Sequence, residues 1–257
     1  MKMCLSGASS DQARAPQVSI AVIVILLALG GASSAIAQQH ISKKYPAGKN
    51  VRLQLKNISG EITVESWARD EIKVSATMES PATRFAPRQT SDGLIIDVMG
   101  DNRGRAEVGN INFKVQVPAS SSVDVETMRG DIHVTNVQGG TVRAHVSTEG
   151  DITLSGISAS QVIASNTIGN IYFDGDFKKG GSYEFTSNRG DITLRIPGDS
   201  AFRLVAVIPS KKIELGHFWN NRFRSIGDGR KYLGDVGDGR SSVTVTNFSG
   251  AILFLRR

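Results

Sequence analysis

A glycine-isoleucine repeat with a period near twenty residues most constrains what this chain can fold into. In six of the seven copies a glycine is followed by a polar or acidic residue and then by isoleucine, and in the last copy alanine takes the middle position. Five such glycines are separated by 21, 20, 19 and 21 residues, namely Gly109, Gly130, Gly150, Gly169 and Gly190, and further copies begin at Gly60 and Gly250. A fixed period of this length predicts stacked supersecondary units.

The residues before each glycine alternate between apolar and polar, which is the period of a β-strand. In "VDVETMRG" the inward set includes Val123 and Val125, and in "YEFTSNRG" it includes Tyr183 and Phe185. Each unit is therefore predicted as strand, sharp turn at the glycine, second strand and return turn. Because two short strands cannot bury both faces alone, we expect the units to stack in register. The sequence predicts an all-β, parallel β-solenoid (β-helix) with about 20 residues per coil.

Two features refine this prediction. In "TVRAHVSTEGD" the apolar residues are shifted by one position relative to Gly150, which predicts a β-bulge. The third residue before the glycine has inward parity but is small and polar in several copies, so we expect an internal polar ladder hydrogen-bonded to the turns. The ladder residues are Asn57, Thr127, Asn166, Ser187 and Asn247.

The tripeptide Arg-Gly-Asp occurs twice, at 129–131 and 189–191, and has two interpretations. It is a cell-adhesion signal in some proteins, but here both copies fall at the repeated turn. Glycine suits a turn that needs a positive φ, and aspartate caps turn amides. The repeat therefore favours a structural turn over an adhesion signal, and it predicts turn glycines at Gly60, Gly109, Gly130, Gly150, Gly169, Gly190 and Gly250.

The two ends of the chain are less regular. Residues 1–37 contain an apolar run and end in Ala-Ile-Ala, which is typical of a cleavable signal peptide; an uncleaved anchor over 18–37 is the alternative. We expect a linker over 38–44, a partly antiparallel N-terminal β-cap over 45–100, and the solenoid over 101–257 with a long loop excursion at 216–240. The chain stops right after the last predicted strand, so no C-terminal anchor is expected.

Composition limits the partners. Removing residues 1–37 lowers the formal charge from +6 to +5, which favours an anionic glycan or another envelope component as partner. No Lys/Arg block of the kind found in nucleic-acid arms occurs, so no nucleic-acid partner is expected. The only cysteine is Cys4, so the mature chain has neither disulfides nor thiolate metal sites. We expect an exported protein in the periplasm, at the cell surface or outside the cell, with no membrane span after cleavage.

The excursion at 216–240 holds the best candidates for ligand contact. His217, Trp219, Arg222 and Arg224 combine aromatic and basic side chains on one segment, which suits carbohydrate. The alternative is that Phe218 and Trp219 cover the edge of a coil.

No catalytic, cofactor or metal site is predicted. Asp131, Asp151 and Asp191 would form one outward column, as in β-helical polysaccharide lyases, but each is explained as the turn aspartate of its repeat. No nucleophile motif or zinc spacing occurs. A polysaccharide-active lyase or hydrolase and a self-associating structural envelope component remain as alternatives to a non-catalytic scaffold.

The segments "NISGEITVESWARDEIKV", the repeated T-x-x-G-D-I and the ending "VTVTNFSGAILF" carry a family resemblance. The chain resembles a bacterial "putative adhesin" β-strand-repeat family of unknown function, and it is similar to the head domains of autotransporter adhesins. The resemblance covers most of 45–257. It implies an exported, solenoid-rich protein, a non-catalytic adhesin-like interaction scaffold, and it brings no catalytic residues.

Overall fold

The structure is a computed structural model that describes residues 39–79, 84–105 and 108–257. The predicted signal peptide, residues 1–37, lies outside the described residues. The described part of the chain is all-β, with two short helical turns at Val98–Asp101 (α1) and Gly216–Phe218 (a 3-10 turn). Its strands are β1 Gln39–Pro46, β2 Arg52–Ser59, β3 Ile62–Trp67, β4 Glu71–Met78, β5 Arg88–Gln89, β6 Gly93–Asp97, β7 Ile111–Pro118, β8 Ser122–Arg129, β9 Ile132–Thr135, β10 Thr141–Glu149, β11 Ile152–Ile157, β12 Gln161–Ile168, β13 Ile171–Gly175, β14 Ser182–Arg189, β15 Ile192–Ile196, β16 Phe202–Val207, β17 Ile213–Glu214, β18 Arg224–Ile226, β19 Lys231–Val236, β20 Ser241–Asn247 and β21 Ile252–Arg256.

These strands form two long sheets. Sheet 1 has the order β1-β4-β7-β3-β9-β11-β13-β15-β21-β17, and sheet 2 has the order β18-β19-β16-β20-β14-β12-β10-β8-β2-β6-β5. A strand of sheet 2 and the strand of sheet 1 that follows it make one layer. Two kinds of corner join them: the glycine corner leads from sheet 2 to sheet 1, and the return corner leads from sheet 1 to the next strand of sheet 2.

The middle layers, β8/β9 to β14/β15, pair in parallel with a regular register. In sheet 1, Ile132 pairs with Ile152, Ile152 with Ile171, and Ile171 with Ile192. In sheet 2, Val123, Val142, Val162 and Tyr183 line up in the same way. All of these side chains are buried. The inward positions of the strand period thus form columns that run across the layers and make up the core.

Strand β10 carries the irregularity that the sequence predicts. Its pairing with both β8 and β12 shifts register between Val146 and Glu149. Val146 lies beside Thr127 and Asn166, so in this layer an apolar side chain takes the place of a polar ladder residue. The extra residue lets the strand keep its apolar side chains inside and still reach the glycine corner in step with its neighbours.

At both ends of the stack the layers do not follow chain order. Strand β2 lies between β6 and β8, and β3 lies between β7 and β9. At the other end, β20 lies between β14 and β16, and β21 lies between β15 and β17. The first layer in sequence, β2/β3, is therefore covered by β6 and β7, and the last layer, β20/β21, is covered by β16 and β17. Both are held by pairing on two sides, which opposes fraying from either end.

The N-terminal region differs from the predicted linker over 38–44 at the residues that the structure describes, 39–44. Instead of a linker, Gln39–Pro46 form an edge strand that pairs antiparallel with β4 over its whole length. The sequence gives only a weak signal for this strand, because only its Ile41 and Tyr45 pack against the core, and both are only partly buried. Antiparallel pairing also joins β4 to β7 and β5 to β6, whereas β2 and β3, from the same 45–100 region, belong to the parallel stack.

The excursion at 216–240 is more ordered than a loop. Strands β18 and β19 form an antiparallel hairpin, and β19 pairs antiparallel with β16, so the segment extends sheet 2. Phe223 is nearly buried under this hairpin, and a Cβ built on Gly234 would lie 2.5 Å from its ring. Gly234 thus leaves room for an aromatic ring that holds the hairpin against the end of the core, a packing relation that the loop-like composition hides.

Candidate functional site

The glycine corners stack so closely that a side chain would not fit. Gly60, Gly130, Gly150, Gly169, Gly190 and Gly250 all have φ between +113° and +153°. A Cβ built on any of the last five would lie 2.0 to 2.4 Å from the carbonyl oxygen of the glycine in the adjacent layer. Both the backbone conformation and the close approach of the next corner require glycine here.

Gly109 does not belong to this column. Because Ile62 pairs with Phe113, the residue beside Gly60 is Ile111, two positions after Gly109. In this copy β7 lies outside β3 and is also paired with the antiparallel strand β4 on its other side. The spacing of 21 residues to Gly130 suggests the wrong register for this one copy.

The residue after each glycine links neighbouring corners through its side chain. The Oδ1 atoms of Asp131, Asp151, Asn170 and Asp191 each accept a hydrogen bond from the backbone N–H of the equivalent residue in the next layer, at 2.7 to 2.9 Å. Asn112 does the same for Glu61 at 2.9 Å. These carboxylates and amides are therefore structural caps that tie one layer to the next.

The inward polar ladder binds the same corners from the core side. Asn166, Ser187 and Asn247 donate to the glycine carbonyl oxygens of an adjacent layer, at 3.2, 3.4 and 2.9 Å. Asn57 donates to the Ile111 carbonyl at 2.8 Å, and Thr127 to the Arg129 carbonyl at 3.0 Å. All five side chains are buried. The glycine corner thus uses its polar groups internally, on both its inner and outer sides.

The two Arg-Gly-Asp triplets are one and the same position of this corner. Gly130 and Gly190 lie in the glycine column, and the carboxylates of Asp131 and Asp191 are engaged by the next layer. Arg129 is exposed and lies beside Glu149 in the neighbouring strand. The aspartate that an adhesion triplet would present to a receptor is here a hydrogen-bond acceptor within the fold.

The aromatic residues of the excursion divide between a buried and an exposed role. Phe218 is buried and contacts Phe202 and Phe254, with ring centroids 5.8 and 6.3 Å apart, so it covers the end of the core. Trp219 is 58% exposed and stacks on Phe223 at 5.6 Å. Phe218 thus has the edge-covering position, and Trp219 keeps one face toward solvent.

The basic candidates of the excursion lie in a concavity on the outer face of sheet 2. This arginine concavity has a volume of about 300 Å³. Arg222 and Arg224 line it, whereas His217 and Trp219 do not. The structure therefore separates the four predicted contact residues into an aromatic end and a basic pocket. Its lining residues are Arg203, Leu204, Val205, Arg222, Arg224, Leu233, Gly234 and Asp235.

Arg203 and Asp235 are the two site residues that the sequence does not reveal. They face each other across β16 and β19 and form a two-pronged ion pair, with distances of 2.8 and 3.3 Å. The hydrogen bond from Arg203 lowers the pKa of Asp235, and the Arg222 charge acts in the same direction. Thirty-two residues separate the pair in the chain, so only the antiparallel return of the excursion brings them together.

Arg222 is fixed by the turn around it. Its guanidinium donates to the Gly237 carbonyl at 2.9 Å, and its backbone N–H donates to Asn220 Oδ1 at 2.8 Å. Asn220 in turn donates to the Asp235 carbonyl at 3.1 Å. Three arginines and one aspartate thus line the concavity, which leaves it with an excess of positive charge.

Two negative findings concern the described residues only. Between residues 39 and 257, apart from 80–83 and 106–107, no three His, Cys, Asp or Glu side chains are grouped so that they could hold a metal ion. In the same described ranges, no helix has the length and apolarity needed to cross a bilayer.

Two long sheets joined by stacked glycine corners define a protein of the β-strand-repeat class. The chain belongs to the Toastrack DUF4097 family, whose model matches residues 25–252. This confirms the resemblance to an adhesin-like repeat family of unknown function. No curated protein sequence matches the chain.

Two solved structures resemble this chain at low sequence identity. A "putative cell adhesion protein" from Clostridium sporogenes ATCC 15579 matches with a TM-score of 0.51 and 13% identity, over 86% of this chain and 100% of the other. A "putative adhesin" from Bacteroides fragilis NCTC 9343 matches with a TM-score of 0.37 and 8% identity, over 86% and 99% of the two chains. At 13% identity the likeness to the first of these structures concerns the fold alone.

Proposed function

We propose that this protein is an exported, non-catalytic interaction scaffold of the cell envelope, with an adhesin-like role. We also propose that its middle layers are a parallel β-solenoid of about twenty residues per coil, which the registers of 19 to 21 residues between paired strands support. A rigid stack of this kind suits presentation of fixed surface sites, since each side chain is held by its strand. The signal-like residues 1–37 support export.

The observation that carries the binding role is the arginine concavity. Arg203 is already paired with Asp235, whereas Arg222 is held only through backbone and amide groups, and Arg224 forms no ion pair within the described residues. Guanidinium groups bind carboxylate, sulfate and phosphate through pairs of parallel N–H donors. A volume near 300 Å³ is at the small end for a ligand pocket, so the concavity suits one anionic group of a larger envelope partner.

The corner geometry supports a non-catalytic role. A lyase or hydrolase on this scaffold would need free carboxylates, but Asp131, Asp151 and Asp191 each cap the backbone of the next layer. The structural role of these aspartates in the repeated turn accounts for their spacing, so no catalytic role is needed to explain it.

The proposal is tested by binding of the purified full chain to dextran sulfate, with neutral dextran as the reference polymer. We expect salt-sensitive binding to the sulfated polymer alone, weakened about tenfold by Arg224→Gln, as for one charge-assisted contact. Arg129→Gln, an exposed arginine at a glycine corner, removes the same charge elsewhere and should change affinity little. Equal losses in the two variants would show a general charge effect and contradict a defined concavity.

A further inference from the structure

A second and larger concavity runs along the return corners, on the side of sheet 2 nearest those corners. It has a volume of about 860 Å³ and shares no lining residue with the arginine concavity. We propose that this return-corner groove binds a linear, hydroxyl-rich glycan that lies across the layers, with an acidic sugar at Arg52 and Arg143. The site is independent of the anion-binding role proposed above.

The groove is built from six successive layers. Each contributes a residue from its return corner, in the spatial order set by β6, β2, β8, β10, β12 and β14. At a strand spacing near 4.8 Å, six layers span roughly 24 Å, enough for several sugar rings in a row. The corner residues are Asp92, Asn50, Ser120, Gln138 with Gly139 and Gly140, Ser160 and Lys178.

The charged centre of the groove is an arginine-aspartate-arginine row on β2, β8 and β10. Arg143 Nη1 lies 2.9 Å from Asp124 Oδ1, and Arg52 Nη2 lies 3.6 Å from Asp124 Oδ2. The Asp124 side chain is 19% exposed, whereas those of Arg143 and Arg52 are 37% and 60% exposed. Since a guanidinium has five N–H donors, both arginines keep donors that point to solvent after pairing with Asp124. Asp124 thus orients two cations toward the groove.

The remaining polar lining suits sugar hydroxyls. Thr141 donates to Gln161 Oε1 at 3.3 Å, which leaves the Gln161 amide NH₂ as a donor, and Gln138 adds a second amide. Ile163, which pairs with Arg143 across β12 and β10, offers an apolar surface to the C–H face of a ring. Lys178 is a third cation in the lining beside the two arginines, and Asp92 and Asp124 are its two carboxylates. The net charge of the groove is therefore small and positive. This mixture fits a polymer with many hydroxyls and few acidic groups.

An extended peptide fits the groove less well. A peptide strand binds through open backbone donors and acceptors at a sheet edge. Here the backbone N–H groups of the corners form hydrogen bonds between layers. The N–H of Ser122 donates to the Val51 carbonyl, that of Gln161 to the Gly140 carbonyl and that of Ser182 to the Ser160 carbonyl, all at 2.8 to 3.0 Å. Recognition must therefore use side-chain hydroxyls, amides and guanidinium groups, which favours a glycan.

Gly140 permits a steric test of the groove. A Cβ built on Gly140 meets only Ser122 Oγ, at 3.7 Å, so a large side chain there should enter the groove without straining the backbone. Gly48 is the matched control, because a Cβ there meets nothing within 4 Å and the residue does not line the groove. We expect Gly140→Tyr to weaken binding of a galacturonic acid oligosaccharide at least tenfold and Gly48→Tyr to leave it unchanged.

Arg195 provides the control for charge. Arg195 Nη1 lies 2.9 Å from Asp174 Oδ2, the same ion-pair distance as in Arg143–Asp124, but on sheet 1. Arg143→Gln should weaken binding of the acidic oligosaccharide about fivefold to tenfold and barely affect its carboxyl-reduced, neutral form, whereas Arg195→Gln should change neither.

Isothermal titration of the full-length variants, with thermal melting as a check on folding, separates the outcomes. Absence of oligosaccharide binding, equal losses for Arg143→Gln and Arg195→Gln, or equal binding of polyglutamate would each overturn the glycan groove. If Gly140→Tyr melts at a lower temperature than the wild type, the comparison of Arg143→Gln with Arg195→Gln alone tests the groove. The Arg224→Gln variant should keep the part of the oligosaccharide binding that Gly140→Tyr removes, so failure of the groove and failure of the arginine concavity are distinguishable.

Discussion

The two corners of each layer use similar residues in opposite ways. At the glycine corner, the backbone, the following Asp or Asn and the inward polar ladder all bond within the fold. At the return corner, backbone groups bond between layers, but Ser120, Gln138 and Lys178 turn polar side chains toward a groove. The repeat motif therefore marks the part of the surface with least freedom to bind, and the irregular segments between the motifs shape the recognition surface.

The sharpest way to break this contrast is to add one carbon atom at each corner. Gly169→Ala should destabilise the fold by at least about 3 kcal/mol, because φ is +133° and the new Cβ would lie 2.2 Å from the Gly150 carbonyl oxygen. Gly140→Ala, at a return corner, should change stability by less than about 1 kcal/mol. Urea unfolding of both variants measures the difference. Equal effects would mean that the glycine column is not a steric requirement.

One polar side chain near the return corners, the buried Tyr183, bonds within the fold instead of facing the groove. The hydroxyl of Tyr183 donates to the Ala159 carbonyl at 2.9 Å and accepts from the Lys178 backbone N–H at 2.6 Å, so it holds the 176–181 corner in place. Tyr183→Phe leaves these groups without their partner and should cost about 1–3 kcal/mol. Tyr172→Phe, on the outer face of sheet 1, is the matched control and should be nearly neutral.

Alkaline pH provides a second test of the same contact. Burial raises the pKa of Tyr183, chiefly by desolvation of the phenolate. A raised pKa means that the folded state keeps a proton that the unfolded state loses, so stability is full below the unfolded value, roughly 10, and falls as pH rises toward the folded value. Denaturant midpoints measured from pH 8 to 11 should fall more steeply for the wild type than for Tyr183→Phe. Parallel curves would show that the hydroxyl is solvated.

Sequence periodicity predicts the fold better than it predicts the candidate binding sites. The isoleucine columns, the bulge in β10 and the inward polar ladder follow from a period of two within a period of twenty, and each of these patterns is local. The exchanged layer order at the ends, the strand β1 and the register of Ile111 beside Gly60 depend on pairing between distant segments, which no local pattern encodes. The same holds for Arg203 with Asp235, and for the six corners that meet in the groove.

The smallest effect expected concerns the aspartate of the second Arg-Gly-Asp triplet. Asp191 Oδ1 accepts the Ala251 backbone N–H at 2.7 Å, so Asp191→Ala should cost about 1 kcal/mol, the worth of one such hydrogen bond. Asp191→Asn keeps an acceptor oxygen and should stay within about 0.5 kcal/mol of the wild type. Asp199→Ala, an exposed aspartate at a return corner, should also be near neutral. An equal loss for Ala and Asn would assign the role to charge, whereas the expected order assigns the triplet to the architecture of the corner.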